Sequence, residues 1–391
     1  MDTKIRLASN TIPDSHLEDL SSWIKTFPRL TKGEVTLDFE ERFSEYIKVN
    51  HTRLVNSGSS ANLLVASANL FFQSLKNKKI AIPAVSWSTT LSPFVQLGYE
   101  PFLIDCDKEN LGINIDHLHK IIKEENISTL ILVHVLGHDS SIEKIVDICE
   151  ENQIRIFEDA CEALGSICNN KKLGSFGLAS TFSFYYGHHI STIEGGAVCS
   201  DNQEFVNLVT SMRSHGWSRD LPKEEALKLR QENHISDFRD LYSFYYPGFN
   251  LRSSDLNAFL GVKQLSLLEK YAKKRSEIFN YYKNNLKEYW YQSSRTEFVS
   301  SFAYGTFVKN PEEVWRYMLK SGVETRPLIC GSMGMQPFWK KLNKSFTNLK
   351  YSNQVHEYGI YLPINADLTR EQVNYVINLF KRVAVPYQIL D

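Results

Sequence analysis

The chain has 391 residues, is 42% hydrophobic and 23% charged, and carries a formal net charge of -1. That length and balance describe a globular chain with a large core and room for a smaller second unit, and a near-neutral charge gives no footprint for nucleic acid or an anionic membrane surface. The apolar stretches around Leu130–Val133 and Leu63–Phe72 are too short to span a bilayer, and the opening "MDTKIRLASN" has no apolar leader core, so a cytoplasmic location is expected.

In chain order, "FEERFSEYI" reads as a helix of an N-terminal segment. In "NSGSSANLLVASANL" (Asn56–Leu70), small residues precede a strongly apolar helix. Free N–H groups at a helix start bind phosphate, and Gly58 permits close approach beside Ser59 and Ser60. Plain capping by Ser59 or Ser60 is the alternative. "KIAIPAV", "EPFLID", "TLILVHVLG" and "IRIFEDA" are continuous in apolar residues, as strands covered on both faces require. Helices such as "SIEKIVDICEEN" lie between them, which gives an α/β fold with a mostly parallel central sheet.

Trp87, in "PAVSWSTT", follows the first of these strands, where an indole stacks on a flat cofactor or fills the core. Asp159, in "IFEDACEALGS", ends a buried strand, where ligands of open α/β sheets gather; a helix cap is the alternative. "NNKKLGS" reads as a hairpin turn, and "FSFYYGHHISTIEGG" (Phe182–Gly196) holds the adjacent His188 and His189 in a turn. The polar run Lys223–Arg239 reads as a solvated helix or insertion. After about Ala258 the texture changes. One long helix, "LGVKQLSLLEKYAKKRSEIFNYYKNNLKEY", leads into a smaller α+β unit containing "FAYGTFV", "NPEEVWRYMLKSGV" and "TREQVNYVINLFKRV". The expected division is 1–262 for the large, cofactor-binding unit and 263–391 for the small one.

The six cysteines, Cys106, Cys149, Cys161, Cys168, Cys199 and Cys330, form no C-x-C or C-x-x-C pair. Neither a metal site nor disulfides are expected, and the thiols read as ordinary buried ones.

A phosphate cradle, a ring stacker, a carboxylate for a pyridine nitrogen and a functional group at the end together describe a pyridoxal phosphate site. The segments "SGSSANL", "FEDACEALGS", "RSHGW", "GFNLRSSDLNAFLG", "GVETRPL" and "LPINADLT", in this order, resemble the DegT/DnrJ/StrS sugar aminotransferase family of fold-type I pyridoxal enzymes, which modify 4-keto nucleotide sugars. In that family a lysine eight residues before the second Gly of Glu-Gly-Gly anchors the cofactor covalently. Counting back from Gly196 gives His188. Lys171 and Lys172 are too close to Asp159 in sequence to replace that lysine, and the next lysine is Lys223. Histidine cannot make the covalent link, but imidazole titrates near neutrality and remains an acid and a base.

His188 therefore resembles the signature of a histidine-variant subgroup, the 4-keto-6-deoxy sugar 3-dehydratases that make 3,6-dideoxy sugars. The resemblance implies pyridoxal and pyridoxamine 5'-phosphate as cofactor forms, L-glutamate as co-substrate, and 2-oxoglutarate and ammonia as products. A sister subgroup carries an iron–sulfur cluster on close-set C-terminal cysteines. Only Cys330 lies in that part here, so neither cluster nor reductase is expected. The resemblance assigns Ser183 to the cofactor phosphate, Glu162 to the cofactor's hydroxyl face, and Asn250 to a phosphate contact from a partner subunit, hence a homodimer with a shared site. His215 and Arg326 are candidate substrate contacts, with structural roles equally open. His189 reads as a neighbour of the site and a paired-histidine metal site is not expected. A GDP-linked substrate is favoured over a CDP-linked hexose or a GDP-linked heptose. An aminotransferase that has lost its lysine, and an inactive homologue that keeps the fold, are the competing readings.

Overall fold

The computed structural model describes residues 4–342, 344 and 349–390. Strands β1 (His51–Val55), β2 (Lys79–Pro83), β3 (Glu100–Ile104), β4 (Thr129–Val133) and β5 (Arg155–Asp159) alternate with helices. β6 (Ile167–Cys168) and β7 (Lys171–Lys172) form a separate hairpin, turned by Asn169 and Asn170 at positive φ. β8 (Ala179–Ser183) and β9 (Gly196–Ser200) complete a seven-stranded sheet in the order β1-β9-β8-β5-β4-β2-β3. β9 is antiparallel to both neighbours while every other pair is parallel, so six strands point one way and β9 alone is reversed. β4, β8 and β9 are buried at every position, which is why their sequences run apolar rather than alternate.

Helices α1 (Asp14–Ile24) and α2 (Glu34–Ile47) precede the sheet. α3 (Gly58–Phe71), α4 (Ser88–Gln96), α5 (Ile115–Glu125), α6 (Ile142–Glu151) and α7 (Gln203–Arg213) cover it. α8 (Lys223–Glu232) and α9 (Asp237–Asp240) occupy the polar run, and Leu229 is the one buried residue of α8. The start of α2 is capped from far along the chain. Asp255 accepts from the amides of Gly33 (2.7 Å) and Thr36 (3.0 Å) and from the Thr36 hydroxyl (2.6 Å).

The expected single long helix is two, α10 (Asp255–Leu265) and α11 (Leu268–Asn285). The Ser266 hydroxyl bonds back to the Lys263 carbonyl (2.7 Å), competing with the helical ladder where the chain turns. We propose Ser266–Leu267 as the seam between the units, in place of 262/263. Beyond it, β10 (Tyr304–Phe307), α12 (Pro311–Lys320), β11 (Arg326–Pro327), α13 (Pro337–Lys341), α14 (Lys350–Tyr358), β12 (Gly359–Leu362) and α15 (Arg370–Val383) build a second layer. Its antiparallel sheet, β10-β12-β11, packs with α11, α12 and α15 around Phe279, Tyr282, Met318 and Phe380. The units are fastened by Asp105, just past β3, which accepts from the Ser352 amide (2.7 Å) and hydroxyl (2.6 Å) of α14. Among the described residues no helix is long and apolar enough to cross a membrane.

One buried carboxylate pins the end of β5. Glu158 accepts from the amides of Gly174 (2.8 Å), Phe176 (2.7 Å) and Gly177 (2.8 Å) and pairs with His134 Nε2 at 2.9 Å. Burial alone would raise its carboxyl; His134 and the amides outweigh that and hold it below its ordinary value. Glu158→Ala strands these donors in the core, so it should cost about 3–5 kcal/mol in urea unfolding, as a lower midpoint at unchanged slope. A loss under about 1 kcal/mol would show that the carboxylate does not pin the strand.

Candidate active site

The carboxyl ends of five of the six co-directional strands, all but β3, open onto one cavity of about 340 Å³. Ser57 follows β1, Trp87 follows β2, Asp159 ends β5 and Ser183 ends β8, and the turn after β8 carries Tyr185–His188 over the opening.

At one end sits the start of α3. Ser57, in extended backbone, is the cap, and its hydroxyl accepts from the Ser60 amide at 3.1 Å. The Ser60 side chain also bonds to Ser57, so Ser60 does not line the cavity, and neither Ser59 nor Ser60 is the cap. The amides of Gly58 and Ser59 have no acceptor among the described residues, the arrangement in which a helix start holds an anion. A Cβ on Gly58 would lie 2.7 Å from Ser183 Cβ, and one on Gly196 would lie 2.5 Å from the Gly58 nitrogen. Two glycines therefore clear the space between α3, β8 and β9. The cradle fits a phosphate with Ser183 beside it.

At the bottom, Asp159 is 6% exposed. Its Oδ2 accepts from Thr90 (2.7 Å) and Asn62 (3.0 Å), its Oδ1 from the Cys161 amide (3.2 Å), and Thr181 orients the Asn62 amide (2.7 Å). No helix follows Asp159, so the capping alternative falls away. Trp87 is 50% exposed and forms a wall of the cavity rather than part of the core.

His188 lines the opposite side. Its Nδ1 lies 2.9 Å from the Cys161 carbonyl, which can only accept, so Nδ1 carries the proton and Nε2 is the free nitrogen. Burial pushes its pKa from 6.5 to about 4, so the ring is neutral at neutral pH. His189 turns away: it is 1% exposed and its Nε2 donates to the Ser300 carbonyl at 2.9 Å.

Glu162 accepts from the Leu136 amide at 3.0 Å; burial pushes its carboxyl up to about 7, against the pull of that amide and of Arg326. Arg326 forms no ion pair within 4 Å among the described residues. Its guanidinium lies 4.7 Å from the Tyr361 ring centre and lines the cavity. No lysine lines the cavity among the described residues. Lys172 is taken up by Glu269 (3.2 Å) and the Tyr46 ring (3.8 Å).

Two expected residues lie elsewhere. Asn250 lines a neighbouring basic cavity of about 510 Å³ with Arg29, Lys32, Trp217, Arg219 and Arg252. His215 packs beside it, 5.1 Å from Trp217 and 3.4 Å from the Arg252 guanidinium, outside the first cavity. Glu194 lines both cavities. Sequence reasoning missed Asn62, Thr90, Phe302 and Tyr361. Asn62 had a signal: it follows Gly58 by one helical turn and faces the same side. Phe302 and Tyr361 arrive from the second unit and had none. Of the cysteines, Cys161 lines the cavity, Cys330 is half-buried, and the other four are buried; all are free thiols.

A seven-stranded sheet with one reversed strand, a phosphate-ready helix start and a buried aspartate facing a flat-walled cavity define a protein of the fold-type I pyridoxal-phosphate aminotransferase class. The chain belongs to the DegT/DnrJ/EryC1/StrS aminotransferase family, whose family model matches residues 15–381. It is 30% identical over 391 residues to the GDP-4-keto-6-deoxy-D-mannose 3-dehydratase of Yersinia pseudotuberculosis, covering 96% of this chain and 98% of that one. Among solved structures it is similar to a mutant GDP-4-keto-6-deoxymannose-3-dehydratase with bound GDP-perosamine, at a TM-score of 0.88 and 27% identity, covering 96% of this chain and 99% of that one. It is also similar to a GDP-4-keto-6-deoxymannose-3-dehydratase with a trapped PLP-glutamate geminal diamine, at a TM-score of 0.86 and 26% identity, with coverage of 96% and 99%.

In the cofactor-free protein, histidine NMR should place the midpoint of His188 near 4, and carboxyl NMR that of Glu162 near 7. A His188 midpoint at or above 6.5 would show that the ring is not desolvated.

Proposed function

We propose that this protein is a pyridoxal-phosphate-dependent 3-dehydratase of a GDP-linked 4-keto-6-deoxy sugar, with L-glutamate as co-substrate. The observation that carries it is His188, a neutral, oriented imidazole where the aminotransferases of this family keep their lysine. Relatives similar over nearly the whole chain support the reading, one with bound GDP-perosamine and one with a PLP-glutamate adduct.

Bound pyridoxal phosphate supplies an electron sink for carbanion chemistry. The amides of Gly58 and Ser59 and the Ser183 hydroxyl would hold its phosphate, and Trp87 would stack on its ring. Asp159, fixed by three donors, would oppose a protonated ring nitrogen and keep it charged. Glu162 would meet its hydroxyl and Arg326 the substrate. His188 Nε2 takes the proton from the carbon next to the transferred amine and gives one to the departing C3 hydroxyl. With no lysine in the cavity, nothing forms a covalent bond that ejects an amino sugar, and the C3 hydroxyl has time to leave.

The proposal extends to a cytoplasmic homodimer. Asn250 and His215 do not line their own chain's cavity, and the basic cavity holding Asn250 abuts it at Glu194. A second copy would bring Asn250 to the phosphate and His215 to the substrate.

Incubation with glutamate and GDP- and CDP-linked 4-keto-6-deoxy hexoses and a heptose should release ammonia and 2-oxoglutarate with the GDP-linked hexose. His188→Asn should abolish this, and His188→Lys should replace 3-deoxygenation with some amino sugar; unchanged dehydration by either variant sinks the assignment. Mixing His188→Asn with Asn250→Ala protomers should restore activity, because one of the two sites of a mixed dimer is then wild-type in both residues. No recovery would mean the site is not shared.

A further inference from the structure

The described surroundings of His188 contain a support that reaches the cavity only at Phe302 and Ala303. Arg275, on α11, is 2% exposed and forms no ion pair among the described residues. Its Nη1 donates to three carbonyls, Ser301 (3.4 Å), Phe302 (3.2 Å) and Ile364 (2.8 Å). A buried cation whose nearest carboxylate partner, Asp367, acts on it only from beyond ion-pair distance is costly to keep, and an apolar side chain of similar size would pack more cheaply. What the guanidinium gains is a hold on one short strap, Ser300–Phe302.

That strap is tied down from the other side as well. His189 Nε2 donates to the Ser300 carbonyl at 2.9 Å, the Ser300 amide donates to the Ser166 hydroxyl at 3.0 Å, and the Phe302 amide donates to the Leu136 carbonyl at 3.0 Å. A Cβ on Gly137, at φ +90, would lie 2.7 Å from the Ser300 carbonyl oxygen, so the strap rests directly on that turn. Its product is the placement of Phe302, whose ring centre lies 5.3 Å from that of His188 and 6.1 Å from that of His189.

The His188 ring has one hydrogen bond among the described residues, from Nδ1 to the Cys161 carbonyl. A single bond fixes a point, not a plane: the ring can still swing or flip and exchange its two nitrogens. A second contact, from a Phe302 ring tilted 50° to the imidazole, limits that freedom. We infer that His189 and Arg275 are positioning residues, which hold the Ser300–Phe302 strap so that Phe302 locks the His188 ring with Nε2 as its proton-transfer atom. This rests on the proposed role of His188. Three charged groups act on the ring, Asp159 from the end of β5, Arg326 from β11 and Arg275 from α11, while Glu162 lines the same cavity and the neutral His189 comes next in the chain. Arg275 and Arg326 both favour the neutral ring and Asp159 opposes them, in keeping with a base.

The test uses His189→Leu, His189→Gln and Phe302→Leu. Gln keeps a donor at the reach of Nε2; Leu removes it. In cofactor-free protein, ¹⁵N NMR of the His188 ring should show the Nδ1–H tautomer in wild type and His189→Gln, and averaging of both tautomers in His189→Leu and Phe302→Leu. In loaded protein, the kcat of the glutamate half-reaction should fall about tenfold or more in the two Leu variants, with KM for glutamate unchanged and Gln restoring it. An unchanged His188 spectrum in both Leu variants, an unchanged kcat, or a failure of Gln to restore either overturns the inference. Wild-type turnover of glutamate is read separately: its absence would sink the dehydratase reading, while the spectra would still decide the positioning.

Discussion

Two adjacent carboxylates end strand β5, and the rest of the site depends on the pleat turning them to opposite faces. Glu158 faces inward, where His134 and three amides saturate it, and this fixes how far β5 can slide or twist. Asp159 then has no freedom left in its backbone and points at α3 and the start of α4, which supply Asn62 and Thr90. The carboxylate proposed to face the cofactor's ring nitrogen is thus positioned by its neighbour, which does not line the cavity. A shift of one residue in the strand would exchange their faces, which is why a fully satisfied anchor next to the functional residue is worth its desolvation.

Exchanging lysine for histidine in the β8–β9 turn changes what the scaffold must do. A lysine on a flexible stem finds its partner by forming a bond, so a loose turn suffices. An imidazole acts through one nitrogen in one plane and has to be aimed. The turn here is held accordingly. Asn257 of α10 bonds the Thr192 and Glu194 carbonyls at 2.7 and 3.1 Å, and Gln264 bonds the Ser191 amide at 3.1 Å. The histidine itself is tied to the Cys161 carbonyl, two residues past Asp159. Base and aspartate are thereby set relative to each other through one short piece of backbone.

What was legible in the sequence follows from the range of the interactions. Whereas Ser183 was assigned by resemblance, the buried strands announced themselves by continuous apolar runs, and Asp159 and Trp87 by their place at strand ends. These are local patterns read against one general rule about open sheets. Ser57 rather than Ser59 or Ser60 takes the cap and leaves the Gly58 and Ser59 amides free; three serines within four positions do not show in sequence which of them caps. The break between α10 and α11 turns on a single serine hydroxyl bonding backward. Asn250 and His215 were placed by resemblance alone, and no pattern in one chain shows which face a second copy would cover. Phe302 and Arg275 are ordinary core residues in sequence; their consequence lies in contacts with residues more than a hundred positions away or with a strap that has no periodicity of its own.

The electron balance explains why one site suffices. Replacing a C3 hydroxyl by hydrogen is a two-electron reduction of the sugar, and oxidation of glutamate to 2-oxoglutarate and ammonia releases two electrons. The sums match without an outside reductant, so the protein need not dock an electron donor or hold a redox centre. What it needs is a site that handles both reactions in turn: an anchored phosphate, a charged ring nitrogen, and a base that is regenerated each time. A covalent lysine would serve the glutamate step but would also discharge the sugar as an amine before the hydroxyl could leave. The neutral imidazole of His188, the proposed base, would serve both steps because it moves protons and forms no bond to carbon. The same substitution that removes the anchor would therefore permit the reduction, provided that the cofactor is held without a covalent bond, by α3, Ser183 and Asp159 together with the other proposed contacts. The preorganisation of those groups is the structural condition for doing without the lysine.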